Sequence, residues 1–305
     1  MSTALPQAAA PIEVESPSPR AMMRRRAAGH LGLIAGGAVV LFFCAVALFA
    51  PLLAPYDPFD QNLSQRLLDP VWAPKGGWEH PLGTDAFGRD YLSRLIFGAR
   101  VSLTIGFLAA AIAGVVGTLL GLLGGYFGGK VDAFVVYLIN VKLALPIVLV
   151  ALALASIAGG SIASLILILG FLTWDRYAVV VRSVTQQLRA QDFIAAAQAA
   201  GASHLRIVLG EVLPNVFNQI IVVASLEIAL VILIEAGLSF LGLGVRPPTP
   251  SWGLMVAEGR SYMFFKPFLI VIPGLALFTL VVAINLAGDG DRKSTRLNSS
   301  HSQQS

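Results

Sequence analysis

The sequence predicts an all-α membrane protein, a polytopic bundle of six transmembrane helices, from three observations. Hydrophobic residues make up 56% of the 305-residue chain and charged residues only 12%, against about 25% charged in an ordinary soluble domain. So few charges cannot cover a soluble surface. The apolar residues also gather into runs near the ~20 residues that cross about 30 Å of hydrocarbon. Finally, Arg20 and Arg24–Arg26 stand just before the first run, where a cytoplasmic anchor belongs.

The elements follow in order. Met1–Arg20 is rich in Pro, Ala and Ser without apolar periodicity and reads as a disordered tail; residues 1–29 together form the expected cytoplasmic N-terminal tail. Leu31–Leu53 is the first span, within a segment at 30–54. Its apolar run is too long for a signal-peptide core, and Phe43 before the lone cysteine, Cys44, is too bulky for a lipoprotein cleavage site. Residues 55–99, with Pro55, Pro58, Pro70, Pro74 and Pro81, are too polar to cross and are placed outside. The last part, His80–Arg100, is expected as an amphipathic helix leading into the bundle.

A five-helix core at 100–290 then comprises Val101–Tyr126, Val131–Ile157, Ile162–Val181, Val216–Phe240 and Phe268–Leu286. An even span count puts both termini on one side, and the arginines at 20–26 make that side cytoplasmic. The 183–215 loop faces the same way, with Arg182, Arg189 and Arg206 in support. Arg246, Arg260 and Lys266 in the external 241–267 loop run against this orientation, but the N-terminal cluster outweighs them. Six glycines in the second span, among them Gly117-x-x-x-Gly121, allow helices to approach closely in lipid. The tail Asp291–Ser305 changes character abruptly, with Leu297 its one large apolar residue. It reads as translated cloning or adapter sequence, and neither a function nor a metal at His301 is assigned to it.

Chemistry on the chain itself is not expected. There is no phosphate-cradling Gly-x-x-x-x-Gly-Lys-Ser/Thr loop, and one Cys with four scattered His cannot build a zinc site. Serines lack a His–acid pair placed to activate them. No catalytic residue, metal or bound cofactor is therefore expected on this chain. Nucleic acid is set aside as a partner because no aromatic or basic surface accompanies the arginines.

Five ionisable residues lie in or near the spans: Lys142, Asp175, Arg176, Glu227 and Glu235. Each costs roughly 2.5–3.5 kcal/mol at mid-membrane on insertion scales, so each should face a partner or water. Lys142 is expected to pair with Glu227 or Glu235, which are eight residues apart and near one helical face. That pair is either structural or part of a pathway. Asp175 and Arg176 either neutralise one another or snorkel, while Pro146 and Pro273 kink their spans.

The most informative segment is Asp192–Asn215, DFIAAAQAAGASHLRIVLGEVLPN. Ala195, Ala196 and Ala197 open a run to Ala200 that favours helix strongly. Gly201 breaks it with a tight turn. Ala202–Gly210 is expected as a second short helix with Leu205, Val208 and Leu209 on an apolar face, and Pro214, after Leu213, ends it as the next span begins. A short rigid element joined to two spans can turn a partner's movement into helix tilt.

This loop is similar to the EAA loop of ABC-importer permeases, which docks onto the ATPase subunit. Three further blocks carry the resemblance: HPLGTDAFGRDYLSRLIFGARVSL at His80–Leu103, WDRYAVVVR at Trp174–Arg182, and GLSFLGLGVRPPTPSWGLMVAEGR at Gly237–Arg260. From about Arg24 to Asp289 the chain resembles the permease subunits of dipeptide or oligopeptide importers, in the branch that also holds nickel permeases. Two departures stand out: Ala195 replaces the glutamate that names the motif, and Asp291–Ser305 replaces the family's native tail.

The resemblance implies a type I ABC permease fold in the cell inner membrane, surrounded by membrane lipid and working by alternating access. It implies ATP and Mg on two separate ATP-binding subunits, a homologous second permease subunit, and an extracytoplasmic substrate-binding protein. Coupling would run through Ala195, Ala196, Ala197, Gly201, Ala202, Leu205, Leu213 and Pro214. The substrate stays open between dipeptide, oligopeptide and nickel chelate. From another class, an ion-coupled secondary transporter would use the intramembrane acids, but no inverted repeat with matching interrupted spans accompanies them.

Overall fold

The computed structural model describes the backbone from Pro19 to His301 and side-chain surroundings from residue 32 to 288. The tail expected at 1–18 lies outside the described residues, as do the side chains of the arginines at 20–26 and of 289–305. Helix α1 runs Pro19–Leu48, so helix begins well before residue 30. Ala, Met and Arg between 20 and 28 are good helix formers, and Pro19 suits a first helical position. The short α2 (Ala50–Leu53) follows.

The bundle is organised around α3 (Tyr91–Phe127), whose 37 residues make it about 55 Å long. It packs against α1, against α4 (Gly129–Leu143) and α6 (Ile162–Leu172), and most extensively against α7 (Asp175–Arg189). The expected helix over 80–100 exists only from Tyr91 onward. Asp85 explains why: its Oδ1 accepts from Phe87 N at 2.8 Å and Arg89 N at 3.0 Å, a local turn that competes with helix. Asp90 then caps α3, its Oδ2 accepting from Ser93 N at 2.7 Å.

The span expected at 131–157 is broken into α4 and α5 (Ile147–Ala158), bent by 81°. Pro146 sits at the break, where it has no N–H to continue the ladder. The span expected to end at Val181 instead runs to Arg189, interrupted between α6 and α7, where Thr173 Oγ1 donates back to Leu169 O at 2.9 Å.

Helices α8 (Asp192–Ala199) and α9 (His204–Ile207) form the loop. A π turn over Val208–Val212 joins α9 to α10 (Leu213–Phe240) without a stop. The expected second helix at 202–210 therefore runs on into α10, and Pro214 does not end it. Pro214 follows the π turn directly, a widened stretch of helix beside which its missing N–H is accommodated. After α11 (Trp252–Gly259), α12 (Phe268–His301) closes the bundle beside α1 and α10.

Among the described residues, four helical segments are long and apolar enough to cross a membrane, and the bent pair α4–α5 makes a fifth if it is one span. The apolar part of α1, Gly32–Leu48, is shorter within the described residues. The count of six is thus approximate, with four to five helices meeting the length test.

The glycine stripe has a direct packing consequence. A Cβ at Gly117 would lie 2.6 Å from Tyr177 Cβ, at Gly121 2.8 Å from Val181 Cβ, and at Gly125 2.6 Å from Thr185 Cβ. Both rows advance by four residues, so a ridge of α7 fills a groove on α3 that any side chain would close.

Candidate functional site

The loop between α7 and α10 hangs on two buried isoleucines. Ile194 of α8 and Ile207 of α9 are 0% exposed and pack with Leu122, Tyr126, Val181, Val212 and Val216. Around these anchors, Ala195, Ala196, Gly201, Leu205 and Pro214 are exposed, while Ala197, Ala202 and Leu213 are half-buried. All eight residues singled out in the sequence thus sit on one short unit; five face outward, while Ala197, Ala202 and Leu213 pack partly against its apolar anchors.

The turn itself is specified by backbone chemistry. Ala202 N donates to Ala197 O at 3.1 Å and Gly201 N to Gln198 O at 3.0 Å, the paired bonds of a Schellman helix end. Gly201 has φ +81°, yet nothing lies within 4 Å of where its Cβ would be. The need for glycine there is conformational rather than steric. One polar tie from the loop to the bundle, and one between the helices beside it, were not anticipated. His204 Nδ1 lies 3.0 Å from the buried Tyr126 hydroxyl at the end of α3. Arg182 of α7 forks onto Asp132 of α4, its Nη2 donating at 2.7 Å.

The intramembrane charges pair differently from expectation. Lys142 bonds Asp175, not Glu227 or Glu235. Asp175 opens α7 just after the break at 173–174 and so faces the last turn of α4, where Lys142 stands. Arg176 Nε lies 3.3 Å from Glu227 Oε1, so Asp175 and Arg176 do not neutralise one another. Glu235 takes no cation among the described residues. Its Oε1 accepts from Ser239 Oγ at 2.7 Å and Ser251 Oγ at 3.0 Å, tying α10 to the N-cap of α11.

A second buried network was missed entirely. Arg89 Nε donates to Asp85 Oδ2 at 2.6 Å, and Arg94 also bonds Asp85. Arg94 Nη2 and Arg89 Nη2 lie 2.8 and 3.3 Å from Glu258 of α11. The two guanidiniums are 0% and 2% exposed. Opposite charges concentrated in two separate polar blocks were the available signal. The network pins the 54–90 segment onto the bundle, and Trp252 Nε1 adds a bond to Leu95 O at 2.9 Å.

The bundle thus sets a helical loop between α7 and α10 on a group of long apolar helices. Residues 117–289 match the model of the binding-protein-dependent transport system inner membrane component, and residues 18–70 that of the N-terminal TM domain of oligopeptide transport permease C. The chain belongs to the first of these families and is a multi-pass inner-membrane permease, which works with partner subunits.

It is 38% identical to the dipeptide transport system permease protein DppC of Haemophilus influenzae, over 86% of this chain and 88% of that one. It is 36% identical to the glutathione transport system permease protein GsiD of Pectobacterium atrosepticum, over 90% and 89% respectively. The fold is similar to a chain of the inward-facing MetNI methionine ABC transporter, with TM-score 0.54 and 19% identity over 65% of this chain and 94% of that one.

Proposed function

We propose that this chain forms half of the translocation pathway of an ATP-driven importer of short peptides, the other half being a homologous permease subunit. The supporting observation is the loop: an outward-facing surface of small and apolar residues whose two helices continue into α7 and α10. Ala195, Ala196, Ala197, Gly201, Ala202, Leu205, Leu213 and Pro214 form the surface that meets an ATP-binding subunit. ATP and Mg belong to two such subunits, and an extracytoplasmic binding protein delivers the substrate. The N-terminus and the 183–215 loop are cytoplasmic, and 55–99 lies outside.

Peptide as substrate rests on relatives named for dipeptide and for glutathione, which is itself a tripeptide. Within the chain, 30–54 serves as the first span and 100–290 as the permease core. The test is reconstitution of this chain with the second permease, the ATPase and the binding protein in proteoliposomes. Uptake of a labelled dipeptide should require ATP on the ATPase side; ATP-independent uptake, or none, would refute the proposal.

A further inference from the structure

Four charges meet halfway through the bundle, beside the breaks in two of its helices. Lys142 is thirteen residues from Gly129 at the start of α4, and Arg176 is thirteen from Arg189 at the end of α7. At 1.5 Å per residue each lies about 20 Å from that side. The two ends share a side, since the Arg189 guanidinium lies 2.7 Å from where a Cβ of Gly128 would be. Glu227 is thirteen residues from Phe240 at the opposite end of α10, so it meets them at the same depth.

The two pairs differ in closure. Lys142 and Asp175 are 18% and 4% exposed and bonded to each other. Arg176 is 57% exposed, and its 3.3 Å approach to Glu227 lacks hydrogen-bond geometry. Among the described residues Arg176 spends none of its five N–H donors, and both oxygens of the fully buried Glu227 are unbonded. A guanidinium turned to lipid at this depth would cost roughly 2.5–3.5 kcal/mol on insertion scales. Arg176 therefore faces either an aqueous pathway or an acidic group.

A groove of about 520 Å³ runs between α3 and α10, lined in part by Tyr177, Gly114, Phe107, Ala224 and Ile228 but not by Arg176 or Glu227. Tyr177 is the neighbour of Arg176 in α7, and Ala224 and Ile228 flank Glu227 in α10. Its size falls within the ~300–1,000 Å³ of small-molecule sites. One unspent guanidinium at this depth suits a ligand that carries one carboxylate.

We propose that Arg176 is a substrate-contacting residue that binds the C-terminal carboxylate of a peptide on the translocation pathway. This inference rests on the peptide-import reading above. Glu227 is then a positioning residue: it holds the guanidinium by charge alone, leaving its paired N–H groups free for a forked bond to a carboxylate.

The test uses the complex of both permeases and the ATPase, without the binding protein, and measures equilibrium binding of radiolabelled Ala-Phe and of its C-terminal amide. Charge-assisted hydrogen bonds predict that Arg176→Gln weakens Ala-Phe binding roughly ten- to hundredfold, leaves the amide unchanged, and so removes discrimination between them. Arg176→Lys should keep part of that preference. Equal weakening of acid and amide, no change in either, or no measurable Ala-Phe binding to the unaltered complex would each overturn the assignment. Loss of the second permease from purified Arg176→Gln complex would do so too, because Arg176 would then be serving a subunit contact. Separately, ATP-driven Ala-Phe uptake by the unaltered complex with its binding protein tests the import reading. That reading stands if uptake occurs while the Arg176 result fails.

Discussion

The 80–94 segment and the 190–214 loop are both polar connections at the rim of the bundle, yet they are fastened by opposite means. The first is pinned by four charges, with Arg94 0% and Arg89 2% exposed. The second hangs on two fully buried isoleucines while its polar and small residues face outward. A buried ion network fixes one geometry, because every displaced partner leaves an uncompensated charge. Apolar anchoring is non-directional, so the loop can rock on Ile194 and Ile207, with the Tyr126–His204 bond as the polar tie that gives way. The first segment is held fixed relative to α3 and α11, and the lighter anchoring of the second suits the coupling role proposed for it above.

The sharpest way to break this contrast is Asp85→Ala. It strips a shared acceptor from Arg89 and Arg94 and releases the turn at Phe87 and Arg89. Breaking a buried pair costs about 3–5 kcal/mol, a large share of the ~5–15 kcal/mol typical of a folded domain. The expected outcome is a severe drop in membrane-inserted protein and a lower melting point in detergent. Wild-type levels and melting would mean the segment is not pinned by its charges.

At the loop, Gly201→Val should leave folding intact and abolish coupling. A β-branched residue at φ +81° is a steric outlier, and left-handed backbone costs an ordinary L residue about 1–2 kcal/mol. With no neighbour within 4 Å to clash, the damage stays in the turn between α8 and α9. Protein level and second-permease assembly should be near normal, while ATP-driven uptake falls at least about tenfold. A variant that transports normally would remove the turn from the coupling mechanism.

What the sequence makes legible is set by range. Apolar runs, the alanine helix at 195–200 and the Gly201 turn are local, and each appears where composition placed it. Pro146 marks a break, though an 81° bend is more than a kink. The partner of Lys142 was not legible, because pairing depends on helix rotation and the interruption at 173–174 resets the phase of α7. Glu235 was read as a charge seeking a cation, although Ser239, one turn on, was the nearer clue. The contact of Arg89 and Arg94 with Glu258 spans more than 160 residues, and only the folded bundle brings those blocks together.

The smallest expected effect would sharpen the claim that the loop is lightly held. Tyr126→Phe removes the hydroxyl 3.0 Å from His204 Nδ1 and keeps the ring, which is 3% exposed and packs edge-on to both Phe127 and His204. His204 is exposed and can replace the lost bond with water, so only about 0.5–1.5 kcal/mol is at stake. Loss of that bond should not alter protein level, and transport should change by no more than about threefold. Amide exchange over 192–207 should quicken by about two- to tenfold, since local opening there draws on the same bond, while exchange in α3 stays unchanged. If exchange quickens along α3 as well, the hydroxyl is holding the bundle rather than the loop. If it quickens nowhere, Ile194 and Ile207 alone hold the loop, and the contrast with the charge-pinned 80–94 segment is stronger than the Tyr126–His204 tie implies.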